Sequence, residues 1–405
     1  MSRWTVERDA DVIIVGAGPA GAATAILLAE QGLRIIVLDR ARFPRPKLCG
    51  EYLSPEAGRI LDRLGVLKAV DAAAAPLRGM RITAPDGTQI VGTYRAVGRW
   101  APYRQHAIAV PRVALDAALA DRLRLLPVDF REEVRVTDVL FEGRRVVGVE
   151  ARLDGGRAVA LRAPLVAGAD GRASVVAERL RCRSAHPLQR MALTTYVAGV
   201  TDCREQGEVF VDPPDYAILN PLADGRVNVS VVVPLAHVAS YADRLELFFH
   251  ARVKQIPHLA RRLTGAERVE PIRAMGPLAF RVAPPRHDGV LLVGDARGFY
   301  DPFTGEGVFA ALRGAELAAE AATQAIRSGD VSARALRAYE TARREAFRAK
   351  ERVVQLLQLV IARRSLANRV AHALARRPAL LDVLMGVIGD FVPPRALASA
   401  LLRGA

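Results

Sequence analysis

Asp11-Val-Ile-Ile-Val-Gly16-Ala-Gly18-Pro-Ala20-Gly21 decides the fold. Residues 11–16 hold a short β-branched run of the kind that forms a strand buried on both faces. Ala20 to Gln31 is rich in Ala and Leu and stops at Gly32, which reads as a helix with a glycine terminator. Arg34 to Leu38 is a second apolar run, closed by Asp39. Strand, helix and strand within about 30 residues make a βαβ unit, with Gly16-x-Gly18-x-x-Gly21 on its first turn. Glycines there permit a tight turn, a close main-chain approach to a pyrophosphate, and tight seating of helix on strand. The helix's first N–H groups and its positive dipole end face the phosphates. Asp39 can accept hydrogen bonds from a ribose. The stretch predicts an α/β fold that binds a dinucleotide.

Working outward, Ser54-Pro55-Glu56 opens another helix, and residues 77–95 alternate like antiparallel strands around an Asp86-Gly87 turn. Residues 112–124 return to helix. Residues 134–162 read as a three-strand meander, and 164–169 as a buried strand ending at Asp170-Gly171. Sheet resumes over residues 190–282, interrupted by one expected helix from about Tyr241 to Leu263. Residues 289–294 form a buried strand, and Gly307 to Ser328 a long Ala-rich helix. The α/β segments bracket the sheet segments, so the chain is expected to cross between two domains more than once. Residues 1–75, 105–180 and 273–330 are expected in a doubly wound nucleotide-binding domain. Residues 76–104 and 181–272 are expected in an antiparallel-sheet substrate domain, and 331–405 as a helical C-terminal segment.

The 405 residues are 51% hydrophobic and 25% charged, which excludes wholesale disorder. The net charge of +15 rests on arginine, since only Lys47, Lys68, Lys254 and Lys350 are lysines. That skew is read as codon usage. With no recognition motif and no aromatic interleaving, no nucleic-acid partner is expected. Three cysteines argue against a disulfide framework and for a reducing compartment. No run of uncharged apolar residues is long enough to span a bilayer, and no secretion signal precedes the first strand. A cytoplasmic protein, soluble or peripherally attached to a membrane, is expected. No His/Cys/Asp cluster has metal-ligand spacing, so no metal is expected.

A second glycine-bearing turn lies far along the chain: Val293-Gly294-Asp295-Ala296, then Asp301-Pro302-Phe303-Thr304-Gly305-Glu306-Gly307. An acid at a strand end can bind a sugar or ribityl hydroxyl. A Gly-x-Gly opening a helix leaves N–H groups to stabilise charge on a bound ring. Two such turns suit an extended, two-part cofactor.

These two turns, together with Ala169-Asp170-Gly171, resemble the FAD-dependent oxidoreductases of the para-hydroxybenzoate hydroxylase superfamily over residues 9–325. The resemblance implies FAD as cofactor and a discontinuous, glutathione-reductase-like FAD domain. It implies Gly16, Gly18, Gly21 and Asp39 at the ADP half and Asp295 at the ribityl–pyrophosphate region. Gly305 to Val308 would lie beside the flavin ring. Arg112, from Val110-Pro-Arg112-Val-Ala-Leu-Asp116, would lie against the cofactor. Ala20, Arg40, Lys47, Cys49, Asp170, Gly294, Pro302, Glu306, Gly307 and Val308 complete the expected cofactor-binding set.

Finer features point within the superfamily. Phe43-Pro44-Arg45-Pro46-Lys47-Leu48-Cys49-Gly50-Glu51 resembles the Pro-x-x-x-x-Cys-Gly segment of geranylgeranyl reductases, which has a relative in flavin-dependent halogenases. Two departures stand out. Tyr216-Ala-Ile218-Leu-Asn220-Pro221 occupies the place of the reductases' Tyr-x-Trp-x-Phe-Pro, and Glu51 that of a second glycine. A halogenase would need Trp-x-Trp-x-Ile-Pro, but the tryptophans are Trp4 and Trp100, in other contexts. The resemblance implies hydride transfer between flavin and an unsaturated isoprenoid or other hydrophobic small molecule. The pocket is expected to be lined by Cys49, Tyr216 and Phe303, with Cys49 and Tyr216 as catalytic candidates. The alternative is a monooxygenase that hydroxylates an aromatic or polyketide-like substrate through a C4a-hydroperoxide.

Cys49, beside Arg45 and Lys47, reads either as a thiol whose thiolate is favoured or as a small hydrophobe packed near the flavin. No second dinucleotide fold is visible, so either NAD(P)H docks transiently or a separate electron-donor protein reduces the flavin. Residues 331–405 carry 14 Arg and Lys against 5 Asp and Glu. Their apolar helices read either as packing against the flavin domain or as a membrane- or partner-facing surface suited to a lipid-tailed substrate.

Overall fold

The computed structural model describes residues 8–203, 205–241 and 244–402; Trp4 lies outside them. Val12–Val15, Ile35–Leu38, Val128–Arg131, Leu165–Gly168 and Val290–Leu292 form one parallel sheet, with Val12–Val15 at its centre. Three widely separated stretches of sequence therefore build one layer. Val12 and Ile14 face helices, while Ile13 and Val15 face a three-stranded meander of Arg135–Glu142, Arg145–Arg152 and Ala158–Arg162. Both faces of the sheet are thus covered, which is why its strands are almost uninterruptedly apolar.

The helix Pro19–Ala29 is buried at every position. Its many alanines let it lie between the sheet, the helix Arg112–Arg124 and the long helix Gly307–Ser328. A helix that is apolar all round belongs in such a place.

The second layer is a larger sheet with strand order Glu267–Arg268, Arg190–Ala198, Val227–Pro234, Asp215–Pro221, Gln206–Asp212, Gly79–Thr83 and Gln89–Thr93. Its side chains alternate between two cores. Leu193, Phe210, Ala217, Leu219, Val229 and Val231 pack under the helices Leu245–Gln255 and Pro257–Arg262. Ala192, Val209, Ile218 and Val232 look the other way, toward the nucleotide-binding layer.

Two expectations change in detail. The single helix read over Tyr241–Leu263 is two helices broken at Ile256-Pro257, because proline cannot continue the ladder of the helix before it; residues 242–243 lie outside the described set. Arg273–Met275, read as the start of an FAD-domain segment, pairs with Arg190–Ala198 and belongs to the larger sheet.

The C-terminal segment forms four helices, Arg337–Ile361, Arg364–Ala375, Pro378–Ile388 and Arg395–Leu402. The first lies along Gly307–Ser328, and the third covers the edge of the larger sheet. Gly92 makes that cover possible: a Cβ at this position would stand 2.2 Å from Met385 Cγ. The segment is therefore packed against the rest of the protein, although Leu356 and Leu359 remain exposed between Arg352 and Arg363 on an outward ridge. No helix of the described residues is long and apolar enough to cross a membrane.

Candidate functional site

A cleft of about 630 Å³ runs between the two layers. One end is the first glycine turn. Gly16 has φ +97°, and a Cβ there would stand 2.6 Å from the Ala169 carbonyl oxygen. The turn is fastened by the Ala17 N–H, which donates to Asp39 Oδ2 at 2.8 Å, and Asp39 Oδ1 accepts from the Ala41 N–H at 2.8 Å. Each Asp39 oxygen keeps a lone pair for a ribose hydroxyl. Asp39, Arg40, Gly16, Gly18 and Ala20 all line the cleft. Gly21 does not. It sits beneath the turn, where a Cβ would stand 1.8 Å from the Gly16 carbonyl oxygen, so its part is to seat the helix on the strand.

Beyond the turn the cleft becomes cationic. Arg45, Lys47 and Arg112 converge near Asp295 and Arg172. Arg112 is held by a bidentate pair with Asp116, at 2.9 and 2.8 Å, and Arg45 reaches the same carboxylate at 3.2 Å. Asp116 is fully buried, so the guanidinium fork is fixed before any ligand arrives. Burial pushes the Lys47 ammonium below its ordinary range, with Arg112 and Arg45 adding to the effect and Asp295 opposing it. Burial likewise pushes the Asp295 carboxyl up, against Arg172, Arg112 and Lys47. A polyanion set among these groups relieves the crowding of Lys47 with Arg112 and Arg45.

The far end is built by the second glycine turn. Gly294 packs against the first turn, since a Cβ there would stand 2.7 Å from Ala20 Cβ, and it does not itself line the cleft. Gly305 has φ +68° and lies against the Tyr52 ring. Pro302, Thr304, Gly305, Gly307 and Val308 form the cleft wall. Glu306 points away and pairs with Lys350 at 3.0 Å. Asp170 lines the cleft and accepts from the Val175 N–H at 2.7 Å, so it caps the short helix Val175–Arg179 as well.

The larger sheet supplies the opposite wall with Met80, Ile82, Ala192, Val209, Ile218 and Val232, and Met385 and Ile388 reach in from the C-terminal helices. Neither of these last two carries any local signal in the sequence; they arrive from the far end of the chain. Phe303 lines the cleft as expected, but Tyr216 does not. Tyr216 is on the same face of the sheet, yet it is fully buried behind Phe303, whose ring stands edge-on at 5.0 Å. Its hydroxyl donates to Asp301 Oδ1 at 2.7 Å, where Gln358 Nε2 and the Phe303 N–H also donate. Tyr216 thus ties the second glycine turn to the sheet and to the C-terminal helix.

Cys49 lines the cleft, but burial raises its thiol, and the nearby Arg112 only partly offsets this. A neutral thiol is a poor nucleophile. Iodoacetamide at about pH 7.5 is expected to alkylate Cys49 more slowly than free cysteine; mass spectrometry of the Cys49 peptide over time checks it, and a faster rate would contradict the burial argument.

Among the described residues no cluster of His, Cys, Asp or Glu could hold a metal ion. The donor set suits FAD on three counts. The face of Gly18 is open, with nothing nearer to a Cβ than Arg45 at 3.7 Å. Arg45, Lys47 and Arg112 stand where a pyrophosphate would follow the first turn. Thr304 Oγ1 is buried without a partner in the wall beside Gly305, as a ligand-facing hydroxyl would be.

A nucleotide turn at one end of a cleft and a second glycine turn facing an aliphatic wall at the other suit a flavin-dependent oxidoreductase. The chain belongs to the FAD binding domain family, which matches residues 9–354. It is 30% identical over 342 residues to conditioned medium factor receptor 1 of Dictyostelium discoideum, covering 82% of this chain and 66% of that protein's length. Digeranylgeranylglycerophospholipid reductase of Methanosarcina mazei is 28% identical over 332 residues, covering 80% and 77% of the two chains. Menaquinone reductase of Mycolicibacterium smegmatis is 28% identical over 401 residues, covering 95% and 92%. Among solved structures, the flavin-dependent brominase Bmp2 superposes with a TM-score of 0.83 over 98% of both chains at 21% identity, a likeness of fold. The protein is an FAD-dependent oxidoreductase that resembles the geranylgeranyl reductase group.

Proposed function

We propose that the protein reduces a carbon–carbon double bond in an isoprenoid or comparably apolar substrate. The observation that carries this reading is the composition of the substrate wall. Met80, Ile82, Ala192, Val209, Ile218, Val232, Met385 and Ile388 offer an aliphatic surface opposite the second glycine turn. Such a surface binds by removing apolar area from water, at roughly 25 cal/mol per Å². It also keeps bulk water away from the reacting carbons. When bound, FAD supplies a two-electron carrier that can give or take a hydride.

The chain's own part is placement. The buried Tyr216–Asp301–Gln358 contacts hold the loop before Gly305, and Arg112, fixed by Asp116, stands with Lys47 where the pyrophosphate would lie. The reductases among the relatives support the reading, the menaquinone enzyme over nearly the whole length. No tryptophan lines the cleft among the described residues, which weighs against halogenation. The electron donor would be NAD(P)H docking at the cleft mouth or a separate donor protein.

The test is anaerobic turnover of dithionite-reduced protein with geranylgeranyl diphosphate or micellar menaquinone. The expected result is flavin reoxidation with a product heavier by two hydrogens. If no product forms without oxygen, but substrate stimulates NAD(P)H oxidation in air and gains an oxygen atom, the monooxygenase alternative replaces this reading.

A further inference from the structure

Saturating a double bond takes a proton as well as a hydride, and the aliphatic side chains of the chamber can give none. Besides the Cys49 thiol and the Ser230 and Thr194 hydroxyls, the edge of that wall carries an acid, Glu51. The residue is 2% exposed and lines both the main cleft and a second cavity of about 520 Å³ behind the 44–51 segment. Glu51 therefore forms part of the partition between the reaction chamber and a second cavity, together with Lys47, Cys49, Arg112 and Thr194. That second cavity is lined by Tyr196, Arg226, Glu270 and Arg273.

The carboxyl is held by several donors. Oε1 accepts from the Tyr196 hydroxyl at 2.6 Å and from the Arg112 N–H at 3.2 Å, and Oε2 accepts from Asn228 Nδ2 at 3.4 Å. Asn228 in turn accepts from Ser230 Oγ at 3.1 Å, which pairs with Thr194 Oγ1 at 2.9 Å; Ser230 and Thr194 also line the cleft. This hydroxyl and amide string is the polar strip on an otherwise aliphatic face.

The backbone makes the placement more telling. Glu51 has φ +60°, a conformation that favours glycine, and the reductase pattern carries glycine there. The turn is pinned in that shape from the sheet: Asn220 Nδ2 donates to the Gly50 carbonyl at 2.7 Å, and Asn228 Nδ2 to the Cys49 carbonyl at 3.0 Å. Asn220 stands where that pattern carries phenylalanine. Two of the departures from the pattern, Glu51 and Asn220, thus meet at one turn, Asn220 through the Gly50 carbonyl. A strained backbone that presents an acid at the edge of a reaction chamber is the kind of cost a functional site retains.

We propose that Glu51 is the general acid of the reaction, a role that rests on the reductase reading above. The hydride, with its electron pair, forms the C–H bond at one carbon of the double bond. The π pair takes the proton from the Glu51 carboxyl at the other carbon and leaves a carboxylate. Water in the second cavity, beside Tyr196, returns the proton, so the residue is unchanged over a cycle and the reduced flavin is the only reductant.

The charged and titratable groups facing Glu51 are Cys49 on its own segment, Arg112 from the helix behind, and Tyr196 and Arg226 from the sheet, with Glu270 beyond Tyr196. Burial outweighs the hydrogen bonds of Tyr196, Arg112 and Asn228 and the charge of Arg226, and lifts the carboxyl above its ordinary range, which favours the protonated form a donor needs.

Glu51→Gln, which keeps size and the hydrogen bonds from Tyr196 and the Arg112 N–H, and Glu51→Gly, which relieves the backbone, test the role. Single turnovers of dithionite-reduced protein with geranylgeranyl diphosphate are expected to slow by about 10²-fold or more in both. The wild-type rate should fall as pH rises through the Glu51 titration, whereas both variants should be pH-flat. Flavin content and thermal midpoint should stay near wild type. Independently of turnover, infrared difference spectra of the apoprotein should show a protonated carboxyl band that titrates and that Glu51→Gln removes.

A Gln variant with wild-type rate and pH profile overturns the Glu51 role alone, as does a carboxyl ionised down to the ordinary glutamate range. A wild type that saturates no double bond overturns the reductase reading, and this role with it.

Discussion

Replacing Lys350 with methionine will lower stability by about 3–5 kcal/mol, the usual cost of breaking a buried ion pair by removing one partner. Lys350 is 8% exposed; its ammonium lies 3.0 Å from Glu306 Oε2, contacts Asp390 Oδ1, and donates to the Ile388 carbonyl at 3.3 Å. Without it, the buried Asp390 carboxyl and the half-buried Glu306 carboxyl are left with no cation between them. The pH dependence has a definite sign. Burial, opposed by Lys350, leaves the Asp390 carboxyl pushed up to about 6. A carboxyl whose folded pKa exceeds its unfolded one takes up a proton on folding, so stability falls as pH rises through that window. Removing Lys350 raises Asp390 further. Urea midpoints should therefore show the largest deficit near pH 8 and a smaller one near pH 5.5. Lys350→Met combined with Asp390→Asn should recover part of the loss. Because Glu306 directly precedes the helix Gly307–Ser328, the single variant should also retain less FAD, measured as the visible absorbance of purified protein. A deficit that does not change with pH would show that the pair is not the source.

Gly18→Ala and Gly21→Ala will fail differently, although both interrupt the same motif. A Cβ at Gly21 would stand 1.8 Å from the Gly16 carbonyl oxygen, a backbone atom that cannot step aside. The helix Pro19–Ala29 must then lift off its strand, and overpacking of this kind costs about 3 kcal/mol or more. The apoprotein itself should melt earlier. A Cβ at Gly18 meets nothing nearer than Arg45 at 3.7 Å, so the apoprotein should keep its thermal midpoint. Its added methyl instead projects where a pyrophosphate would lie, and FAD affinity should fall by a factor of ten or more, about 1.4 kcal/mol. Differential scanning of apoprotein together with flavin titration separates the two effects. Equal losses of apoprotein stability in both variants would refute the division of labour between the glycines.

The two glycine turns were legible because their physics is local. Turn tightness, free N–H groups at a helix start and a strand-end acid all follow from residues a few positions apart. The helices Arg112–Arg124 and Gly307–Ser328 were likewise readable from pattern, with matching ends. Tyr216 shows the limit. Its place on the cleft-facing side of the sheet follows from alternation, but alternation does not say that Phe303 and the helix Arg337–Ile361 cover it. Cys49 is similar: the sequence left open a favoured thiolate or a small hydrophobe packed in the cleft, and only burial, which raises the thiol, separates the two.

The sequence by itself determined that this chain builds a βαβ nucleotide turn, a second glycine-bearing turn and an antiparallel sheet. Each depends on contacts within one or two elements, whose energies the chain carries wherever it goes. Only the tertiary structure decided what the chamber is made of. Met385 and Ile388 reach it from the far end of the chain, Lys350 fixes a turn some forty residues away, and Glu51 meets Asn228 and Tyr196, as Gly50 meets Asn220, across more than 140 positions. Burial and pairing between such distant groups depend on how whole layers stack, and that is set by the sum of the packing rather than by any local stretch.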